Sequence, residues 1–175
     1  CCRSGWRLGL ARPLVRLRPP HSLPYGTAVP HFVFSSVIAA SVERVFQFHE
    51  AEGALERLTP PWQRMRVVYK DAGLQVGARV ELLIMLGPFR MKWRARHTEY
   101  EQNRLFVDVQ ESGPFRGWVH RHEFEQLAGA ATRLTDCIEF FLPGGRPADL
   151  CGAWLVRMML RPMFAYRHKV TRLLI

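Results

Sequence analysis

Acidic residues are missing from both ends of this 175-residue chain. Residues 1–30 hold Arg3, Arg7, Arg12, Arg16 and Arg18 with no Asp or Glu, and residues 155–175 hold Arg157, Arg161, Arg167, Lys169 and Arg172, again with no acid. The net charge of +10 therefore sits at the termini, and the 15 basic residues of 31–154 balance all 15 acids. A nucleic-acid-binding domain carries a basic face across its body, so no nucleic-acid partner is expected. Cysteine is also scarce. Cys1 and Cys2 are adjacent, Cys137 and Cys151 stand singly among apolar residues, and no CxxC pair occurs. That pattern excludes a disulfide framework and points to a reducing, cytoplasmic setting. No apolar run reaches the roughly 20 residues that span a bilayer. Glycine-rich dinucleotide, P-loop and serine-nucleophile signatures are absent as well.

What is present suits one globular domain with a tail. The apolar fraction of 48% and charged fraction of 23% are ordinary for such a domain. Residues 1–30 contain five prolines and three glycines and show no sustained period. Pro19-Pro20, Pro24 and Pro30 break any helix there, and a disordered basic tail is expected. An Arg-rich, acid-free start also has the composition of a transit peptide, and a first residue of Cys is read as a processed or truncated product.

From His31 the pattern becomes regular. His31–Ala39 is rich in β-formers and predicts a first strand. Ser41 stands at an N-cap position before Val42, Val45, Phe46 and His49 at helical spacing. A second short helix is expected over Gly53–Leu58, ended by Thr59-Pro60-Pro61. Strands are predicted at Met65–Lys70, Ala78–Leu86, Arg90–Glu101, Leu105–Glu111, Gly117–Leu127 and Thr132–Leu142. The short turns between them, including Gly87-Pro88, imply an antiparallel meander. Beyond Pro143-Gly144-Gly145 the apolar period becomes helical over Asp149–Ile175, with a kink or restart expected at Pro162. An α+β architecture follows, in which the terminal helix covers one face of the sheet.

The stretch Phe106–Phe124 organises the chemistry. Alternation on either side of Ser112-Gly113-Pro114 gives two strands, and side chains two apart share a face. Phe106, Asp108 and Gln110 point one way on the first strand. Trp118, His120, His122 and Phe124 share one face of the second, opposite the charged Arg121, Glu123 and Glu125. Aromatics mixed with histidine and a carboxylate are an odd composition for a dry core and read as a cavity wall. Asp136 alternates with Leu134, Ile138 and Phe140 and so falls on an inward face of the last strand. Three readings of this polar set remain open: a hydrogen-bonded Asp–His network, contacts to the polar end of a ligand, and ligation of an ion such as zinc or iron. Trp93, Phe115 and Phe140 join the aromatic set as core or cavity lining. Met158, Met159 and Met163 of the terminal helix would suit a deformable wall. Arg90, Lys92, Arg94 and Arg96 alternate along one strand as a cationic face.

The element order resembles the START-like helix-grip fold, a curved antiparallel sheet wrapped around a long C-terminal helix, within the SRPBCC superfamily. The resemblance covers about residues 31–175. Leu58-Thr59-Pro60-Pro61, Phe106-Val107-Asp108-Val109-Gln110, Gly113-Pro114-Phe115 and Trp118-Val119-His120-Arg121-His122 are similar to a ligand-binding subgroup, some of whose members are fused to a sugar-epimerase-like domain. The resemblance implies a small hydrophobic or amphipathic ligand (lipid, polyketide or aromatic) held between the sheet and the C-terminal helix. Trp93, Phe106, Phe115, Trp118 and Phe124 would supply apolar contact, and Asp108, Gln110, His120, His122 and Asp136 would orient a polar group. No catalytic residue, metal or cofactor is assigned. Two alternatives stand beside this one. In the first, a cyclase- or aromatase-type enzyme uses His120 or His122 as acid–base. In the second, a module works at an anionic membrane surface through its basic ends.

Overall fold

The computed structural model describes residues 29–175 apart from Gly87. The expectations for the tail, and for the Gly87 half of its turn, lie outside the described residues. Strand β1 (His31–Ile38) leads into helices α1 (Val42–Glu50) and α2 (Ala54–Arg57). Six strands follow: β2 (Met65–Lys70), β3 (Arg79–Leu86), β4 (Phe89–Glu101), β5 (Leu105–Ser112), β6 (Gly117–Leu127) and β7 (Ala131–Phe141). Helix α3 (Arg146–Leu174) ends the chain. Strands β2 to β7 form the predicted meander. β1 returns to the β7 edge, giving one seven-stranded antiparallel sheet in the order β1-β7-β6-β5-β4-β3-β2. The register shifts once in β2, between Val67 and Tyr69, and at two places in β4. Such irregularities raise local twist and help to curve a sheet.

Local choices explain the elements. Val42, Val45, Phe46 and His49 put one face of α1 in the core. Ser41 holds the N-cap position, but its hydroxyl caps no backbone group. Gln126 of β6 accepts the Val42 N–H at 3.0 Å instead, so the helix start is tied to the sheet. Helix α3 begins three residues before the expected Asp149, with a proline in its first turn. The Asp149 carboxylate accepts the Leu142 N–H at 2.7 Å and closes the connection from β7. Helix α3 runs continuously through Pro162, so the restart that was one of the two expectations there does not occur. Proline costs one backbone bond there, but Pro162 lies on the exposed side, and Leu160 and Phe164, both buried, anchor the turns around it.

The core has two parts. Ile38, Val42, Val45, Phe46, Phe106, Phe124 and Leu134 pack under α1, while Phe32, Trp118, Ile138, Phe140, Leu160 and Phe164 pack under α3. Helix α3 sits chiefly on β1 and β7. Phe46 is fully buried with its ring against Tyr100, Phe106 and Phe124. Phe46→Ala is expected to cost about 3–5 kcal/mol of unfolding free energy, as loss of a buried aromatic does. A urea midpoint lowered at unchanged slope is the check.

Candidate functional site

Between the two apolar clusters lies a polar layer. Register pairs His122 of β6 with Asp136 of β7, and Asp108 of β5 with His120 of β6. His168 reaches the same carboxylate from α3. Asp136 has three histidine nitrogens around it: His120 Nε2 at 2.8 Å, His122 Nδ1 at 2.8 Å and His168 Nε2 at 2.6 Å. A ring nitrogen so close to a carboxylate oxygen carries the proton. On its other side His168 Nδ1 is hydrogen-bonded to Ser36 Oγ at 2.7 Å, which fixes the orientation of the ring. Asp108 Oδ2 lies 3.5 Å from His120 Nδ1 and 3.4 Å from His122 Nε2. The Phe106 ring stacks on His122 with centroids 4.0 Å apart, and Phe164 meets His120 edge-on.

Electrostatics in this layer divides the groups. Burial works against the charge on Asp136, but His122 and the hydrogen bonds from His120, His122 and His168 hold its carboxyl well below the usual range. Asp108 is lowered too: burial opposes this, and His120 and His122 overcome it. His120 falls below the ordinary imidazole value, first through burial and then through the neighbouring His122. Burial also opposes the charge on His122, yet Asp136 and Asp108 raise it above that value. The pair is therefore split, with His120 pushed toward its neutral form and His122 toward its charged form.

The ten residues singled out from sequence are not one cluster. Asp108, His120, His122 and Asp136 meet in the polar layer. Trp93, Phe115 and Trp118 form an aromatic group, with the Trp93 and Trp118 centroids 5.1 Å apart and those of Phe115 and Trp118 4.8 Å apart. Phe106 and Phe124 belong to the core under α1. Gln110 braces the β5–β6 turn, donating from Nε2 to the Phe115 carbonyl at 2.7 Å. A side chain at Gly113 would meet the Gln110 amide and displace it from this position. Met163 packs on the aromatic group, but Met158 and Met159 face solvent rather than a wall.

Sequence reasoning missed His168 and Ser36, and it placed His49 on the apolar face of α1, where it is buried. For His168 the signal was its position four residues beyond Phe164 and eight beyond Leu160, on the buried stripe of α3. His49, at the end of α1, donates from Nδ1 to the Val45 carbonyl at 2.8 Å.

Two rows of apolar side chains extend from the aromatic group. Met65, Ile84 and Met91 are register neighbours across β2, β3 and β4, and so are Val67, Leu82 and Trp93. All six are half-buried. Helix α3 packs chiefly on β1 and β7, at the other side of the sheet from these rows.

The fold is that of a START-like protein of the SRPBCC superfamily. The family model for polyketide cyclase / dehydrase and lipid transport matches residues 38–164, and the chain belongs to that family. Solved structures share the fold. The START superfamily protein from Mycobacterium smegmatis is 13% identical, with TM-score 0.58 over 81% of this chain and 94% of its own. Protein Ms6760 from the same organism is 20% identical, with TM-score 0.61 over 83% and 90%. The nucleoside-diphosphate sugar epimerase from Corynebacterium glutamicum is 28% identical, with TM-score 0.59 over 81% of this chain. The match spans only 28% of that epimerase, so the likeness concerns one part of a longer protein. Comparison with curated proteins gives no match.

The buried His49 sets a pH dependence. Burial, against the Val45 hydrogen bond, pushes its pKa down to about 4 from an ordinary 6.5. As pH falls, the unfolded chain takes up this proton first. The stabilisation is complete above 6.5 and is lost between there and about 4, roughly 3 kcal/mol in all. His122, raised, acts with the opposite sign, and its contribution fades as pH climbs past its folded value. Urea unfolding at pH 7 and pH 4.5 should show the acid-side loss, with a shallower slope in His49→Leu. An equal slope in that variant would remove His49 as the cause.

Proposed function

We propose that the protein binds a small hydrophobic or amphipathic molecule along the inner face of β2–β4, with its polar end at the histidine–aspartate layer. One observation carries this reading: the side chains Met65, Val67, Leu82, Ile84, Met91 and Trp93 are register neighbours across β2–β4, and all six keep partial exposure. Apolar walls with a few convergent polar groups are what small-molecule sites are built from. Trp93 and Phe115 would stack on the ligand body, with the buried Trp118 packed behind them. Phe106, Phe124 and Gln110 would act from behind, holding the wall and the turn. Asp108 is the group that meets the ligand, because its side chain is 17% exposed against 6% for His120 and His122. As an ionised carboxylate it accepts hydrogen bonds, so the preferred polar end is a donor such as a hydroxyl or amine, and a terminal carboxylate is disfavoured. The described cysteines, Cys137 and Cys151, are free, in keeping with a reducing compartment.

Native mass spectrometry of protein from its own host, followed by organic extraction, tests the reading. A reproducible apolar adduct is expected, and Trp93→Ala should weaken its binding roughly fivefold or more, equivalent to about 1 kcal/mol. Protein that arrives empty and takes up no hydrophobic probe would sink it.

A second reading rests on a separate surface. Leu150, Trp154 and Met158 lie one helical turn apart on α3, at 80%, 58% and 62% exposure, and Leu155 and Met159 widen the patch. No acid follows Asp149 on this helix. Arg157 and Arg161 line a groove of about 430 Å³ between β1 and α3, shared with Met158. Exposed apolar side chains with an interfacial tryptophan and flanking arginines fit the surface of an anionic bilayer. Among the described residues no helix is long and apolar enough to cross one. Co-sedimentation with phosphatidylcholine vesicles should require added phosphatidylserine and weaken with salt. Replacing Arg157 and Arg161 with Gln should cost roughly thirtyfold, at about 1 kcal/mol per arginine. Equal sedimentation with both vesicle types would exclude the charge-dependent contact.

A further inference from the structure

We propose that Asp108, His120 and His122 form a binding site for one divalent transition ion, with Zn²⁺ the best match. Three donor atoms converge: Asp108 Oδ2, His120 Nδ1 and His122 Nε2, all within 4.8 Å of one another. The two nitrogens stand 3.5 and 3.4 Å from the carboxylate oxygen. A tetrahedral ion with bonds of about 2.0–2.1 Å separates its donors by about 3.3–3.4 Å. These distances are long for hydrogen bonds and fit donors arranged around an ion.

The opposite edges of the two rings supply the second argument. His120 Nε2 and His122 Nδ1 each lie 2.8 Å from Asp136 Oδ1 and carry their protons there. Once a binding ion displaces the Nε2 proton of His122, both rings present lone pairs at His120 Nδ1 and His122 Nε2, towards Asp108. A carboxylate behind each ligating imidazole, fixing tautomer and orientation, is the usual support of a histidine–metal bond. Here one carboxylate serves both rings, and His168 and Ser36 hold it in turn.

With no ion and both rings neutral, Asp108 faces two lone pairs. One proton on His122 satisfies that ring and leaves His120 Nδ1 directed at a carboxylate. A second proton would set two imidazolium rings with centroids 3.8 Å apart. A single divalent ion satisfies both gaps, and its charge offsets Asp108 and Asp136. Two imidazole nitrogens and one carboxylate oxygen suit Zn²⁺ and disfavour Ca²⁺ and Mg²⁺, which take oxygen. The protein supplies three donors, so a tetrahedral ion would have a fourth position for water or a ligand group. This site does not depend on the apolar ligand, and either can fail without the other.

The test is titration of chelator-stripped full-length protein with ZnSO₄ at pH 7.5, by calorimetry and native mass spectrometry. The expected result is one ion per chain at micromolar affinity or tighter, with proton release that varies the measured heat between buffers. Asp108→Asn should weaken binding at least tenfold. Asp136→Asn, which removes only the support behind the rings, should cost about ten- to a hundredfold. Co²⁺ substitution should give visible bands of a four-coordinate nitrogen–oxygen site. A stripped protein that takes up no zinc at micromolar concentration overturns the proposal. So does uptake unchanged in both Asp108→Asn and His122→Gln, or a thiolate charge-transfer band placing the ion on cysteine. Because His122 is buried, circular dichroism is run on each variant, and the half-buried Asp108 position decides if His122→Gln fails to fold.

Discussion

An ionised carboxylate in a protein interior costs several kcal/mol unless its oxygens are fully occupied, and this fold is arranged to occupy those of Asp136. The residue sits on β7, two of its partners on β6 and the third on α3, with Ser36 of β1 behind that third ring. Three strands and the long helix thus converge on one charge. Removing any partner leaves an uncompensated group in a medium of low polarity, which ties the placement of α3 to the sheet more specifically than apolar packing does. The same requirement fixes strand register. A slip of one residue between β6 and β7 would bring Arg121 and Glu123 inward in place of His120 and His122.

The layer also explains why the core is divided. The aromatic residues under α1 and those under α3 do not merge; the histidine rings stand between them, stacked on Phe106 on one side and met by Phe164 on the other. Imidazole is well suited to this place. Its faces pack like those of a small aromatic, and its edges carry the hydrogen bonds. The polar group is therefore reached through the plane of the ring, while both faces of the ring stay packed against apolar neighbours.

Much of the fold was legible in the sequence because period-two alternation and turn residues mark each strand, and β2 and β6 fall on the expected residues. The inward placement of His120, His122 and Asp136 followed from the same alternation, since side-chain direction in a strand is set by parity alone. What was not legible came from the helix. Apolar residues surround the first half of α3, so their spacing could not distinguish the buried Ala153 and Leu160 from the exposed Trp154 and Met158. His168 was missed for a related reason: a single histidine among arginines reads as a solvated face until the partner strand is known. Asp108, His120 and His122 could be placed on facing sides of adjacent strands, but their donor distances depend on the β5–β6 register, which no local pattern supplies.

The β2 strand closes the sheet at the end away from β1, and among the described residues its outer backbone edge has no neighbour. Such an edge can recruit the strand of another chain. Here it is only six residues long, carries Arg66 and Lys70, and is interrupted between Val67 and Tyr69. The interruption puts successive backbone groups out of step with any straight partner, and the two cations repel a second copy approaching in antiparallel alignment. The irregularity that helps to bend the sheet thus also gives it a margin that resists polymerisation and keeps the protein from adding strands to itself.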